Sequence, residues 1–139
     1  MSLWTHVVGC VYIETFTERK NIKHYVEKKL KDAPKITGSE EDVDVFVNPL
    51  SGYNVSSWKT DKKGDWLHYQ TCVGITLIGN LRDRQLEQTK EETINFLQYL
   101  QKVGFAIVYH SISIYDELSG KTETLNYKED WYEWKRKES

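Results

Sequence analysis

The chain has 139 residues, 39% of them hydrophobic and 13% aromatic, with five Trp and nine Tyr. That length suits one domain with one core, and that much apolar surface excludes a disordered chain. Nineteen basic against 21 acidic residues give a formal charge of −2, which argues against a duplex-binding domain and equally against an acidic mimic of nucleic acid.

"MSLWTHVVGCVYIETF" is broken by His6 and Glu14 and alternates like a strand rather than forming a secretory leader. No apolar run approaches the ~20 residues of a membrane span. The two Cys do not make a disulfide framework. A soluble, cytoplasmic protein without membrane contact is expected.

Leu3–Phe16 reads as a strand with Val7, Val11 and Ile13 on one face and Trp4, His6, Val8, Cys10, Tyr12 and Phe16 on the other. Thr17 is a candidate cap for a helix to about Asp32, with Ile22, Tyr25, Val26 and Leu30 at helical spacing and a basic outer face. Ala33-Pro34 stops it. Val43–Val47 alternates as a strand that Asn48-Pro49 ends. Leu50–Asp65 has no helical period and reads as a long connection, of the kind that often carries function.

Trp66–Leu81 is a second long strand. A second helix starts near Arg84 or at Lys90, because "TKEE" at Thr89–Glu92 has the capping-box pattern, and ends at Val103 before Gly104. Its apolar stripe is Leu86, Thr93, Phe96, Leu97 and Leu100. Phe105–Leu118 is a strand, and Ser119-Gly120 turns into a last one, "KTETLNY". Residues 1–127 thus form a single α+β domain, and 128–139 an aromatic and charged tail that packs on the domain or on a partner.

This order predicts a ferredoxin-like βαββαβ sandwich, an antiparallel sheet with two helices on one face plus a C-terminal extra strand. Another α+β sandwich with a different strand order is the alternative. The first and third strands are expected to be parallel neighbours, which would put His6 near His68 and Cys10 near Cys72. The helix side takes Val7, Val11, Ile13, Val43, Val45, Val47, Val73, Ile75, Leu77, Val108, Ile112 and Ile114. The open side takes Trp4, His6, Cys10, Tyr12, Phe46, His68, Gln70, Cys72, Tyr109, Ser111, Ser113 and Tyr115.

An aromatic, polar open face has three readings. The tail or a second protomer covers it, with Trp131 and Trp134 as plugs. A small ligand or a protein binds it. Single-stranded nucleic acid stacks on it, although Arg, Lys and an RNP-type motif are missing. Metal is not expected: His and Cys four residues apart on one strand are ~13 Å apart. No cofactor is implied. The carboxylates Glu40, Glu41, Asp42 and Asp44 read as solvated, or as a docking patch for a basic partner.

"LHYQT" (Leu67–Thr71) and "YHSIS" (Tyr109–Ser113) suggest paired phosphoesterase motifs. Their spacing is against it. Residues i and i+2 of a strand share a face, but His68–Thr71 and His110–Ser113 are three apart, so each His and its hydroxyl point to opposite sides unless a bulge intervenes. No phosphate loop, GxSxG elbow or HExxH is present.

"WTHVVGCVYIETF", "KITGSEEDVDVFVNPLSGYN" and "TLIGNLRDRQLEQTKEE" resemble small accessory proteins of tailed bacteriophages and prophages of Firmicutes. The resemblance covers most of the chain and carries over no residue roles. It implies a protein acting in the host bacterial cytoplasm. The reading that follows is a non-enzymatic binding protein that inhibits or modulates a host defence or replication protein. Its contacts are Trp4, His6, Tyr12, Tyr53, Trp58, His68, Tyr109, Tyr115, Trp131 and Trp134. The alternatives are a protein sequestering a small nucleotide-like ligand, at a homodimer seam, and a phosphoesterase using His68 and His110. Duplex nucleic acid is not an expected partner.

Overall fold

The computed structural model describes residues 3–15, 19–59 and 67–126, with the backbone alone at 19–20, 51–59 and 67–71. In chain order these form β1 (Trp4–Thr15), α1 (Arg19–Leu30), β2 (Asp44–Lys59), β3 (Leu67–Arg82), α2 (Leu86–Lys102), β4 (Ala106–Asp116) and β5 (Lys121–Asn126). The strands make one five-stranded sheet in the order β2-β3-β1-β4-β5. Every neighbouring pair is antiparallel. The described residues are therefore α+β, with two helices and an antiparallel sheet. No described helix is long and apolar enough to cross a membrane.

The expected parallel pairing of the first and third strands is not found. Each helical crossover does join parallel strands, β1 to β2 and β3 to β4. A third strand lies between the members of each pair, so neighbours run antiparallel. The consequence is local and specific. His6 lies opposite Asn80, Cys10 opposite Thr76, and Cys72 opposite Glu14. Cys10 and Cys72 are both free thiols, and His6 is not a neighbour of His68.

Alternation in the strands builds the core. Val7, Val11 and Ile13 of β1, Val73, Ile75 and Leu77 of β3, and Ile112 and Ile114 of β4 are buried on one side. Ile22 and Val26 of α1 and Phe96, Leu97 and Leu100 of α2 join the same cluster. Burying each such side chain stabilises by about 1.5–3 kcal/mol. The last turn of α1 carries Lys28 and Lys29, which suit the negative end of the helix dipole. Gly104 closes α2 at φ 99°. Its N–H bonds Gln101 O, and the Phe105 N–H bonds Leu100 O, the paired bonds of a Schellman turn.

Three boundaries differ from the sequence reading. Leu50–Lys59 is not a loop but the continuation of β2. Pro49 pairs with Val73 and does not end the strand, because β2 is an edge and two register shifts absorb the extra residues. The second helix starts at Leu86, with Gln85 as a cap that makes no side-chain bond. Thr89 is inside it and buried. The carboxylate of Glu92, which a capping box would turn back to Thr89, instead accepts from the N–H and hydroxyl of Thr37 at 2.8 and 2.7 Å. Thr17, Phe16 and residues 60–66 and 127–139 lie outside the described residues.

Two side chains leave their expected places. A bulge between β1 and β4 sets Tyr12 opposite Tyr109 and Ile13 opposite Ile107, so Val108 is the extra residue. Ile107, not Val108, takes the inward place, buried with the core. Val45 shares its parity with buried Val43 and Val47 but is 39% exposed. It lines a groove of 710 Å³ between the end of α1 and the β2 edge, beside Glu27, Lys31 and Asp44.

Candidate functional site

The face away from the helices is a lattice set by register. One row across it is Asn80, His6, Tyr115 and Thr122. The next is Asp44, Ile78, Val8, Ser113 and Thr124. Then come Phe46, Thr76, Cys10, Ser111 and Asn126, and then Asn48, Gly74, Tyr12 and Tyr109. Val8 is 57% exposed and Phe46 51%, with Ile78 and Tyr109 close behind. These exposed apolar side chains are neighbours on one face rather than scattered singly over the surface. Among the described residues, Asp44 on the β2 edge is the one charged member of the last three rows.

Aromatic contacts order this surface. Tyr12 and Tyr109 meet edge to face, ring centroids 5.8 Å apart. His6 and Tyr115 stack at 6.1 Å with their planes 13° apart. The imidazole is held on both sides. Nδ1 donates to Asn80 Oδ1 at 2.6 Å, and Nε2 lies 3.4 Å from Glu117 Oε2. Both ring nitrogens thus face acceptors at the rim rather than the middle of the face.

Neither cysteine is an activated nucleophile. Burial pushes the Cys10 thiol above its ordinary range. Burial, then the carboxylate of Glu14, pushes up Cys72, against a weaker opposing bond from the Val73 backbone. Cys72 is 2% exposed although it belongs to the open side. Reactive thiols need the reverse, a lowered pKa and access. Among the described residues no group of three His, Cys, Asp or Glu is placed to hold a metal.

The structure gathers five of the sequence-predicted contact residues, Trp4, His6, Tyr12, Tyr109 and Tyr115, on this one side. Tyr53, Trp58 and His68 belong to the β2–β3 extension, where Trp58 pairs with His68. The side chains of those three residues, and the whole of Trp131 and Trp134, lie outside the described residues. His68 and His110 are not brought together. His110 is fully buried opposite Val11, and Val11 faces Ile75 on β3, seven positions and ~23 Å of strand from His68. In the acidic stretch, Glu40 pairs with Arg82 at 2.6 Å, while Glu41, Asp42 and Asp44 are exposed.

Ile78, Val8 and Phe46 complete the surface and were not among the sequence-predicted contacts. The signal for Ile78 was present: it continues the alternation of Cys72, Gly74 and Thr76 by one more step. Comparison with protein-family models, curated proteins and solved structures finds no match for the chain.

Proposed function

We propose that this protein is a non-enzymatic binding module in which the open face of the sheet is a protein interface, and that it acts in a bacterial cytoplasm as a phage-type modulator of a host protein. The observation that carries the binding reading is the uncharged, aromatic patch of Val8, Phe46, Ile78, Tyr12 and Tyr109. A buried interface core is poor in charge and rich in Tyr and Phe, and such anchors supply most of the affinity.

The scaffold in this reading is a ferredoxin-like sandwich. Two split βαβ units sharing one sheet support it, since β4-β1-β3-β2 is the order they produce, and β5 adds at the β4 edge. A nucleotide-like ligand is less favoured, because the patch offers no Lys or Arg to a phosphate. A phosphoesterase using His68 and His110 is less favoured again, given their separation along the sheet.

The test is capture by tagged protein from bacterial lysate supplemented with an untagged copy of the chain. Tyr109→Asp is expected to lose the captured protein, and Lys102→Glu, on the helical layer, to retain it. Equal capture by both variants would overturn the assignment of the face.

A further inference from the structure

We propose that the surface docking on this open face is a second copy of the same chain, joined about a two-fold axis that runs along β1. The inference rests on the reading of the face as a protein interface and names its occupant. It follows from size, charge and shape.

The size fits. β1 has 12 residues, or ~40 Å of strand, and five strands at ~4.8 Å spacing are ~19 Å across between the outer backbones. The face offers roughly 700 Å², close to the ~800 Å² that each partner buries in a standard stable interface. The charge fits in the middle rows, where an axis along β1 lays Asp44 over Thr124 of the partner subunit. Like charges approach at the far end of the strand, where Glu14, the next residue of β1 on this side after Tyr12, meets the partner's Glu14.

Shape is the most specific argument. β1 is the middle strand of five, so the axis sets β3 over the partner's β4 and β4 over the partner's β3. Row by row, β3 presents Asn80, Ile78, Thr76 and Gly74. In the same rows β4 presents Tyr115, Ser113, Ser111 and Tyr109. In two of the four rows a large residue on one strand stands opposite a small one on the other. Ile78 meets the partner's Ser113, and Tyr109 meets the low point at the partner's Gly74, which Leu50 and Tyr12 flank. An isologous interface needs this reciprocity, in which i meets j and j meets i. Aligned sheets cross at about 30°, so the match is closest near β1. There Val8 and Cys10 meet their own copies.

Sedimentation of the full chain is expected to give twice the 16.4 kDa chain mass at high micromolar concentration. Val8→Asp puts two carboxylates together at the axis and is expected to weaken self-association by at least about 100-fold, with far-ultraviolet circular dichroism unchanged. Sheets pack ~10 Å apart, so a short bismaleimide should link Cys10 to the partner's Cys10. The link should persist in Cys72→Ser and vanish in Cys10→Ser. A monomeric wild type, or a dimer that survives Val8→Asp, would overturn the proposal. If the wild type is monomeric while Tyr109→Asp still loses a different captured protein, the occupant is wrong and the interface reading stands. If neither holds, both fall.

Discussion

Tyr12 and Tyr109 stand opposite each other on the open face because one residue, Val108, is spare in the strand beside them. The bulge lets Ile107 point into the core and Tyr109 point out of it, although the two are only two positions apart. Deleting Val108 would make Ile107 and Tyr109 consecutive, and regular alternation would still hold them on opposite sides. The expected cost is below about 1 kcal/mol, read by urea denaturation. Ile107→Ala, which empties the core place that the bulge fills, is expected to cost about 2–5 kcal/mol. Equal costs would contradict this role for the bulge.

Two glycines should respond differently to Ala. A Cβ at Gly104 would meet nothing within 4 Å, so only its φ of 99° matters, and the cost should be about 1–2 kcal/mol. A Cβ at Gly9 would collide with the Ser111 carbonyl oxygen and come within 2.5 Å of Ile112 Cα. Backbone must move there, in the strand pair at the centre of the sheet, and a loss above about 3 kcal/mol is expected. Chemical denaturation of the two variants ranks them.

Phe96 and Phe46 form a similar contrast between core and surface. Phe96 is 2% exposed, and Phe96→Ala should cost about 3–5 kcal/mol through the cavity it leaves. Phe46 projects from an edge strand, and Phe46→Ala should leave stability within about 1 kcal/mol while weakening binding at the face. A melt that falls equally in both would contradict the placement of Phe46 outside the core.

Alkaline pH should destabilise the fold. Cys72 ionises above its ordinary value of 9.0 because burial and Glu14 oppose the thiolate. Tyr99, whose hydroxyl donates to Lys29 O at 2.6 Å, is raised from 10.0 by burial and then by Asp32. A folded-state pKa above the unfolded one contributes stability that is complete below the unfolded value and is lost as pH rises through the folded value. Stability should hold to about pH 9 and fall beyond it. Cys72→Ser should fall less steeply between pH 9 and 10.5 in thermal melts (an assay window from the reference thiol and phenol values).

The helix–strand order was legible because period 3.6 and period 2 are written plainly in segments such as "NIKHYVEKKL" and "VVGCVYI". The side of each β1 residue followed from the same alternation. What failed depended on pairing rather than pattern. Nothing in β1 alone says that β3 runs antiparallel beside it, so the proximity of Cys10 to Cys72 was misread. Val108 was misplaced because a bulge leaves no mark in the sequence. Leu50–Lys59 lacked a pattern because its ladder against β3 shifts register twice. Thr89–Glu92 matched a capping box by composition, but the Glu92 carboxylate was taken by Thr37, a residue 55 positions away.

A covered open face would show in hydroxyl-radical labelling of the wild-type chain, comparing concentrated protein with the same sample diluted until self-association is lost. Tyr12, Tyr109 and Phe46 should be protected in the concentrated sample and become reactive on dilution. Tyr25, on the helical layer, should label equally in both. Uniform labelling of the three face residues at every concentration, with and without added lysate, would contradict the account.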